Sequence, residues 1–490
     1  MPSALKKPLS SLNGALSRRD LSDKGSAVRK WEYILFGVIA AVCYLTFDHP
    51  DILETARHAY ILTRSTLDGD FFNFFENTLA RTYREYAFVN AAHYNILMYV
   101  IYAVWELPLF LAERIGGFAF CDETLALWCK AIGCGAYIGC GLLMKKLAAQ
   151  LGAADSTAQR MPLAFWLNPI AFFTTLVMGQ YDSLCLLFLL WALTYYFEDR
   201  LVPFCLLMGV GIVFKFFPLF LLVPLLLLAE KRFWYLVRDA ALSLWLYLPT
   251  TLLFWGRTGD ANAFNYEMLK RLLSNSFAGG SMNASRFGLG MVLLCAAAYL
   301  IHPEAVSLSK KSAALYAGVV VFSLLFLFVQ WHPQWVILIV PFLLLTTAQQ
   351  RSPSVFGWTM LALCCGYFLM VSMLFSRALE ANLLDFGAFR NLLPAAYSSF
   401  GDSCYNASFF YPIPGLYFAT SVAFYGALLC DTLFKLPIGP RPLAERLSGG
   451  RDLFARFDWR FVTWGTFAVA FGGLWLLPSL ISLLKTLAIL

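Results

Sequence analysis

Charged residues are scarce in this sequence. Asp, Glu, Lys and Arg make up only 14% of its 490 residues, while hydrophobic residues make up 60% and the mean hydropathy is +0.65. A water-soluble fold cannot bury that much apolar surface, so most of the chain is expected to lie in lipid. The apolar stretches are continuous rather than alternating, which disfavours a β-barrel. The pattern predicts an all-α, polytopic transmembrane helical bundle of about thirteen spans.

Motifs for nucleotides and metals are also missing. The sequence contains no GxxxxGK[ST], GxGxxG or HExxH, and its 12 Cys form no CxxC pair or ligand cluster. The net charge of +7 comes from short basic clusters between apolar stretches, a pattern typical of membrane orientation rather than of nucleic-acid binding. We therefore expect no cofactor, no cytosolic nucleotide donor and no nucleic-acid partner, and the use of a divalent metal stays open.

The basic clusters also predict the orientation of the chain. Seven Lys and Arg residues precede the first span, 31–47, and acidic residues follow it, which places the N-terminus in the cytoplasm. The later basic clusters share that side only if the apolar stretch 94–112 does not cross the membrane. From this charge argument we predict that 94–112, an apolar stretch interrupted by Glu106 and Pro108, is an interfacial or re-entrant segment at the outer face.

The densest polar stretch directly follows the first span. It contains Asp48, Asp51, Glu54 and His58. Carboxylates at a membrane edge are often simply hydrated, but one held at a site can also take a proton from a hydroxyl group. Asp51 is favoured over Asp48 as such a base, because it lies further from the membrane edge and begins a helix-like run. Glu54 and His58 would share its helix face and are candidate substrate contacts.

A second polar group ends the span that carries Asn168 and Pro169. It is the turn Gly179-Gln180-Tyr181-Asp182, which the charge pattern places on the outer side. Asn168 is most simply explained as a cap where Pro169 breaks the helix. Gln180 and Asp182 are candidate substrate-binding residues if the spans that carry them lie beside the first loop.

Three isolated basic residues complete the pattern. Lys215 lies within about thirty apolar residues, where a charge is expensive and usually has a partner or a function. His332 and Gln334 lie in a short turn between two apolar stretches, and Arg286 is a further outer-side cation. Lys215 can also be explained by snorkelling to the interface, but Lys215, His332 and Arg286 are the candidates for binding a phosphate. Gln334 is a further candidate substrate contact.

Taken in order, these motifs resemble those of the GT-C superfamily of integral membrane glycosyltransferases. They are most similar to bacterial polyprenyl-phosphate-mannose-dependent α-mannosyltransferases and to the catalytic subunit of GPI mannosyltransferase I, in the acidic first loop, Trp166-Leu167-Asn168-Pro169, Phe214-Lys215-Phe216-Phe217-Pro218 and His332-Pro333-Gln334-Trp335. The GPI enzyme has an Asp-x-Asp pair and an Arg-Gly motif where this chain has Asp48-x-x-Asp51 and Gly-Gln-Tyr-Asp. The difference in Asp spacing leaves both Asp48 and Asp51 as candidate bases, and the difference at the polar turn favours the bacterial branch.

The resemblance implies a GT-C fold with a long first outer loop that carries interfacial helices. It divides the chain into a cytoplasmic tail (1–30), a catalytic transmembrane module (31–232) and a C-terminal variable transmembrane module (233–490). It also implies an inverting transfer of a sugar, with mannose favoured, from a polyprenyl-phosphate donor to a lipid or glycan acceptor at the outer membrane face. By the same resemblance, Asp51 or Asp48 is the base.

Two other functions fit a multispan chain. One is a transporter or flippase of lipid-linked glycans, and the other is a polymerase or ligase of surface glycans. A transporter predicts polar residues at mid-membrane, often in two related halves. Here the polar residues are predicted on one face and no related halves are visible, which favours an enzyme. A bacterial plasma membrane is favoured over an endoplasmic reticulum, because no retention signal is present.

Overall fold

The structure is a computed structural model of the chain. It describes residues 27–47, 49–79, 92–257, 269–272, 285–302, 308–350, 354–374, 413–438, 441–448, 458–478 and 480–481. These residues are predominantly helical. Two short strands, β1 (Pro437–Ile438) and β2 (Arg441–Pro442), pair in an antiparallel ladder.

The helices of the first half surround the candidate site. In chain order they are α1 (Lys30–Thr46), α2 (Pro50–Leu67), a 3₁₀ turn (Phe71–Asn73), α3 (Phe74–Leu79), α4 (Ile96–Gly116), α5 (Asp122–Gln150), α6 (Asp155–Trp166), α7 (Pro169–Phe172), a π-helical segment (Phe173–Val177), α8 (Asp182–Tyr196), α9 (Leu201–Phe214), α10 (Phe217–Ala229), α11 (Phe233–Ser243) and α12 (Tyr247–Leu253).

The second half continues in the same way. Its elements are α13 (Arg286–Leu300), α14 (Lys310–Phe328), a 3₁₀ helix (Pro333–Leu338), α15 (Val340–Ala348), α16 (Ser354–Leu374), α17 (Leu416–Phe434), α18 (Leu443–Leu447) and two π-helical segments (Phe461–Gly465 and Phe467–Leu476).

The long apolar helices confirm the predicted class. Among the described residues, five helices are long and apolar enough to cross a membrane, namely α4, α5, α14, α16 and α17. Six shorter apolar stretches accompany them, including α8, α9 and α10. Apolar residues face both the protein interior and the outside, as in a bundle bathed in lipid. The chain is an all-α polytopic membrane protein, and about thirteen spans stays a prediction.

Contacts between helices define two opposite ends of the bundle. At one end, Gln180 before α8 bonds Asp51 at the start of α2, directly after α1. We call this the Asp51 end. At the other end, Glu32 at the start of α1 is buried and accepts hydrogen bonds from Arg160 of α6 and from Trp464. We call this the Glu32 end.

Helix α4 has both of its flanks at the Asp51 end. Before it, the ring of Tyr94 packs on Tyr181, next to the first residue of α8. After it, only five residues (117–121) lead to Asp122, which forms a 2.5 Å ion pair with Arg57 of α2. Although α4 is long enough to cross, this arrangement favours the prediction that 94–112 stays on one side of the membrane.

Of the two alternatives predicted for 94–112, the re-entrant segment was wrong. Helix α4 runs unbroken through Glu106 and Pro108, so it is not a re-entrant turn. Pro108 removes one backbone donor, which a helix packed against neighbours tolerates. The Glu106 carboxylate is buried and accepts a hydrogen bond from the Cys129 thiol of α5, which explains why a carboxylate is accommodated inside an apolar helix.

Candidate active site

Asp51 occupies the first turn of α2. The His49 ring caps this helix by accepting the backbone N–H of Asp51 at 3.2 Å. The side-chain amide of Gln180 donates to Asp51 Oδ2 at 2.9 Å. His49 and Gln180 are buried, whereas the Asp51 side chain is 29% exposed. The carboxylate is therefore held on its protein side and still reachable, which suits a group that exchanges a proton with a substrate.

The turn that carries Gln180 has its own local causes. A π-helical segment precedes it, and Gly179 has a φ of +64°, a backbone conformation that favours glycine. The segment begins at Asn168, whose side-chain oxygen accepts the N–H groups of Ile170 and Ala171. The structure thus supports the explanation of Asn168 as a helix cap. The turn ends at Asp182, the first residue of α8.

Lys215 lies at the break between α9 and α10, in extended conformation with a φ of −152°. Its ammonium group is 3.4 Å from Asp182 Oδ2 and lies over the rings of Tyr94 and Tyr181, at 5.2 and 5.0 Å from their centroids. Lys215 and Asp182 are both buried. Burial opposes the charged form, but the Asp182 carboxylate more than offsets it, so the pKa of Lys215 is raised. Lys215 is therefore a cation at this site.

His332 lies in the turn before the 3₁₀ helix Pro333–Leu338. Its Nε2 is 2.7 Å from an Arg271 nitrogen, and because a guanidinium only donates, Nε2 accepts and the ring proton is on Nδ1. Burial, and then the positive charges of Arg271 and Lys215, lower the pKa of His332 to about 4. The ring is neutral near pH 7 and packs on Trp335, with a centroid separation of 4.8 Å.

Five of the residues predicted from sequence come together at the Asp51 end. Gln180 donates a hydrogen bond to Asp51. Asp182, two residues after Gln180 in the same turn, forms an ion pair with Lys215. His332 feels the charges of both Asp51 and Lys215. Trp335 also packs edge-on against Phe217 beside the Lys215 break, at 4.9 Å. One carboxylate, one buried ion pair and one neutral histidine therefore face a shared region.

The other predicted residues lie around this group or outside it. Glu54 is half-buried one turn along α2, and His58 is buried with its ring edge-on to Tyr99, 5.4 Å away. Gln334 is buried in the 3₁₀ helix that packs against α8. Arg286 is exposed at the first residue of α13. Asp48 lies outside the described residues, so the choice between it and Asp51 stays a prediction.

Sequence reasoning missed four residues of this site. Tyr94 and Tyr181 flank Lys215, Arg271 bonds His332, and Lys130 holds the end of α1. Lys130 carries the signal that revealed Lys215, a lone cation in an apolar stretch. The two tyrosines are 2 of 23 and carry no such signal.

In the part of the chain that the structure describes, no three His, Cys, Asp or Glu side chains are grouped so as to hold a metal ion.

Much of the stretch that carries the site is similar in sequence to a known protein family. The profile of glycosyltransferase family 87 matches residues 118–376, just over half of the chain. The chain belongs to glycosyltransferase family 87. This is a family of GT-C-type membrane glycosyltransferases. A search of curated proteins gave no match.

Membership confirms the broader predictions. The protein is a membrane glycosyltransferase, and as such it acts on a sugar donor and an acceptor in a membrane setting. The matched stretch contains Gln180, Asp182, Lys215 and His332, and it extends beyond residue 232. Asp51 precedes it, so the match does not include the predicted base.

Proposed function

We propose that this glycosyltransferase moves a sugar, with mannose favoured, from a polyprenyl-phosphate donor to a lipid or glycan acceptor, with inversion. The observation that supports this most directly is the pairing of Asp51 with Gln180 beside the Asp182–Lys215 ion pair. The site lies at the end of α1 opposite its basic N-terminal flank. With the N-terminus in the cytoplasm, it faces the outer side of a membrane, which we take to be a bacterial plasma membrane.

Asp51 is the proposed base. Its carboxylate takes the proton of the acceptor hydroxyl as that oxygen bonds to the anomeric carbon. The bond from that carbon to the phosphate oxygen breaks on the opposite side, and its electron pair leaves with the polyprenyl phosphate. Inversion follows from this single displacement. The Gln180 amide orients the carboxylate, since it fixes Oδ2 at 2.9 Å.

The leaving phosphate needs cations rather than a general acid. Lys215 is held over two tyrosine rings and is charged, so it is suited to bind the phosphate as negative charge develops there. Arg271 is the second candidate, because it already donates to His332 at 2.7 Å. His332 is neutral, and in the tautomer that carries its proton on Nδ1 the ring can donate a hydrogen bond to a phosphate oxygen. Arg286 at the start of α13 stays a further candidate.

Sugar hydroxyl groups require neutral hydrogen-bonding partners. The Oε1 atom of Gln334 is buried and has no hydrogen-bond partner among the described residues. It is the strongest candidate to accept a hydrogen bond from a hydroxyl group of the sugar. We propose Gln180, Asp182, Glu54 and His58 as the remaining substrate-side residues, with Asp182 acting mainly as the counter-ion of Lys215.

The test uses purified protein with radiolabelled polyprenyl-phosphate mannose and a membrane lipid extract as acceptor. We expect wild type and the control Asp68→Asn, an exposed carboxylate at the far end of α2, to transfer label to a new lipid product, and Asp51→Asn to lose transfer while still folded. If Asp48→Asn rather than Asp51→Asn abolishes transfer, the base assignment is wrong. No transfer from mannose, glucose or arabinose donors would overturn the donor class.

A further inference from the structure

A second fully buried lysine lies behind Asp51. Lys130 is on α5, with none of its surface exposed. Its ammonium group donates to the backbone carbonyls of Tyr44 and Phe47, at 3.0 and 2.5 Å. It also lies 5.1 Å from the centroid of the Tyr44 ring. Burying an ammonium group is costly, so these contacts are what allow Lys130 to sit there.

The carbonyls that Lys130 binds lie at the C-terminal end of helix α1. The last carbonyls of a helix lack partners within it and form the negative end of its dipole. Phe47 is the C-cap residue of α1, four positions before Asp51. His49, between them, caps α2 on the Asp51 N–H. Lys130 thus fixes the point from which the chain enters the turn that presents Asp51.

The aliphatic part of the Lys130 side chain lies against Gly179, in the turn that reaches Asp51 through Gln180. A Cβ atom placed on Gly179 would be 3.3 and 3.4 Å from Cγ and Cδ of Lys130, and 3.5 Å from Ile52. Gly179 is followed by Gln180, whose amide holds the Asp51 carboxylate. One turn along α5, a Cβ on Gly133 would be only 3.0 Å from the Gln180 carbonyl oxygen. The same face of α5 therefore seats both segments that meet at Asp51.

We propose that Lys130 is a positioning residue for the Asp51 base, acting through the Phe47 carbonyl and the Gly179–Gln180 turn. This inference rests on the proposed function, in which Asp51 accepts the acceptor proton. Lys130 does not contact substrate. Its removal should therefore move the carboxylate relative to the acceptor hydroxyl and leave donor binding intact, because displacements of about 1 Å can cost on the order of a hundredfold in rate.

The experiment measures kcat and donor KM for Lys130→Met with polyprenyl-phosphate mannose, on protein shown to be folded and monodisperse. We expect kcat to fall about ten- to hundredfold, with donor KM within about twofold of wild type. Gly179→Ala is the second variant. Its Cβ meets the Lys130 stem and its φ of +64° is unfavourable for Ala, so it should show the same split even where Lys130→Met does not fold.

Lys435→Met is the matched control. Lys435 is a buried lysine that donates to the Leu343 carbonyl and to Thr347, near the end of α5 that lies away from Asp51. Its replacement should lower thermal stability without lowering kcat of the folded enzyme. If Lys130→Met and Gly179→Ala keep wild-type kcat, or if they raise donor KM instead, the positioning role is wrong.

Asp51→Asn separates this inference from the function on which it depends. Loss of transfer in Asp51→Asn with full kcat in Lys130→Met overturns only the role of Lys130. Full transfer in Asp51→Asn overturns the proposed base, whatever Lys130→Met does. A double variant, Lys130→Met with Gly179→Ala, should lose little more than the worse single variant, because both act on the same carboxylate.

Discussion

The side-chain amide of Gln180 donates directly to the Asp51 carboxylate, so the identity of residue 180 should influence the pKa of Asp51. In Gln180→Glu a second carboxylate would lie where the amide now sits, 2.9 Å from Oδ2. Two carboxylates that close cannot both ionise easily, so the pKa of the pair rises. We expect the acidic limb of the profile of kcat/KM against pH to move upward by about one unit or more.

Gln180→Met is the control for that shift. It removes the amide donor without adding charge, so kcat should fall because the carboxylate is less well oriented, and the acidic limb should move little. Profiles of Gln180→Glu and Gln180→Met that coincide would show that residue 180 does not act on the charge of the base.

His332 gives the folded protein a pH dependence of its own. Its pKa is about 4 in the folded protein, against an ordinary value of 6.5 in the unfolded chain. Between these two values the unfolded chain binds a proton that the folded protein does not. The contribution of neutral His332 to the free energy of unfolding is therefore complete above pH 6.5 and is lost as the pH falls towards 4.

His332→Gln should weaken that acid sensitivity, because it removes the titrating group and keeps a polar side chain. The measurement is thermal unfolding in detergent for wild type and His332→Gln across that pH window. His302→Gln, which changes an exposed histidine, should keep the wild-type slope. An unchanged slope in His332→Gln would mean that another group carries the acid sensitivity.

At the scale of elements, the Asp182–Lys215 pair joins the start of α8 to the break between α9 and α10. Removing one partner strands a buried charge, which typically costs about 3–5 kcal/mol, whereas replacing both with apolar groups is often neutral or stabilising. We expect Lys215→Met to be strongly destabilised, and Asp182→Leu combined with Lys215→Met to recover much of that loss in thermal unfolding.

Recovery of stability should not bring back transfer. If Lys215 binds the donor phosphate, the folded double variant will still have little activity, with a raised donor KM. Substantial activity in the double variant would reduce Lys215 to a structural ion pair with Asp182.

The sequence predicted elements better than the contacts between them. Polar residues that interrupt apolar helices are rare, so Gln180, Lys215 and His332 could be identified without a structure. Tyr94 could not, since nothing local marks one tyrosine that packs across the site on residues more than eighty positions away. Arg271 is equally unmarked, because an arginine that follows Lys270 between apolar stretches most often carries an ordinary loop charge.

The continuity of α4 was missed for a different reason. A carboxylate that faces lipid is costly and a proline removes a backbone donor, but here Glu106 is buried against Cys129 of α5. That compensation depends on tertiary packing, which local sequence does not report. Placing 94–112 from the sidedness of distant basic clusters was more informative than judging the segment by its own residues.

For the whole molecule, buried polar contacts fix which helix ends lie together. Arg160 and Trp464 donate hydrogen bonds to Glu32, so the first helix is tied to α6 and to the π-helical segment Phe461–Gly465. Gln150 at the end of α5 donates to Glu198 at 2.9 Å, just after α8, which brings the ends of α5 and α8 together away from Asp51. The site therefore lies at one end of a bundle whose helices alternate in direction.

That arrangement predicts on which side of the membrane particular helix ends lie, and labelling those ends tests whether α4 crosses. Cys121 is an exposed thiol between α4 and α5. In variants with one accessible cysteine, Cys121 and Leu67→Cys, at the exposed end of α2, should react with a membrane-impermeant maleimide from the same side. Arg200→Cys, beside Glu198, should react only from the other side and serves as the control. Opposite sidedness for Cys121 and Leu67→Cys would show that α4 crosses and would reverse every later span.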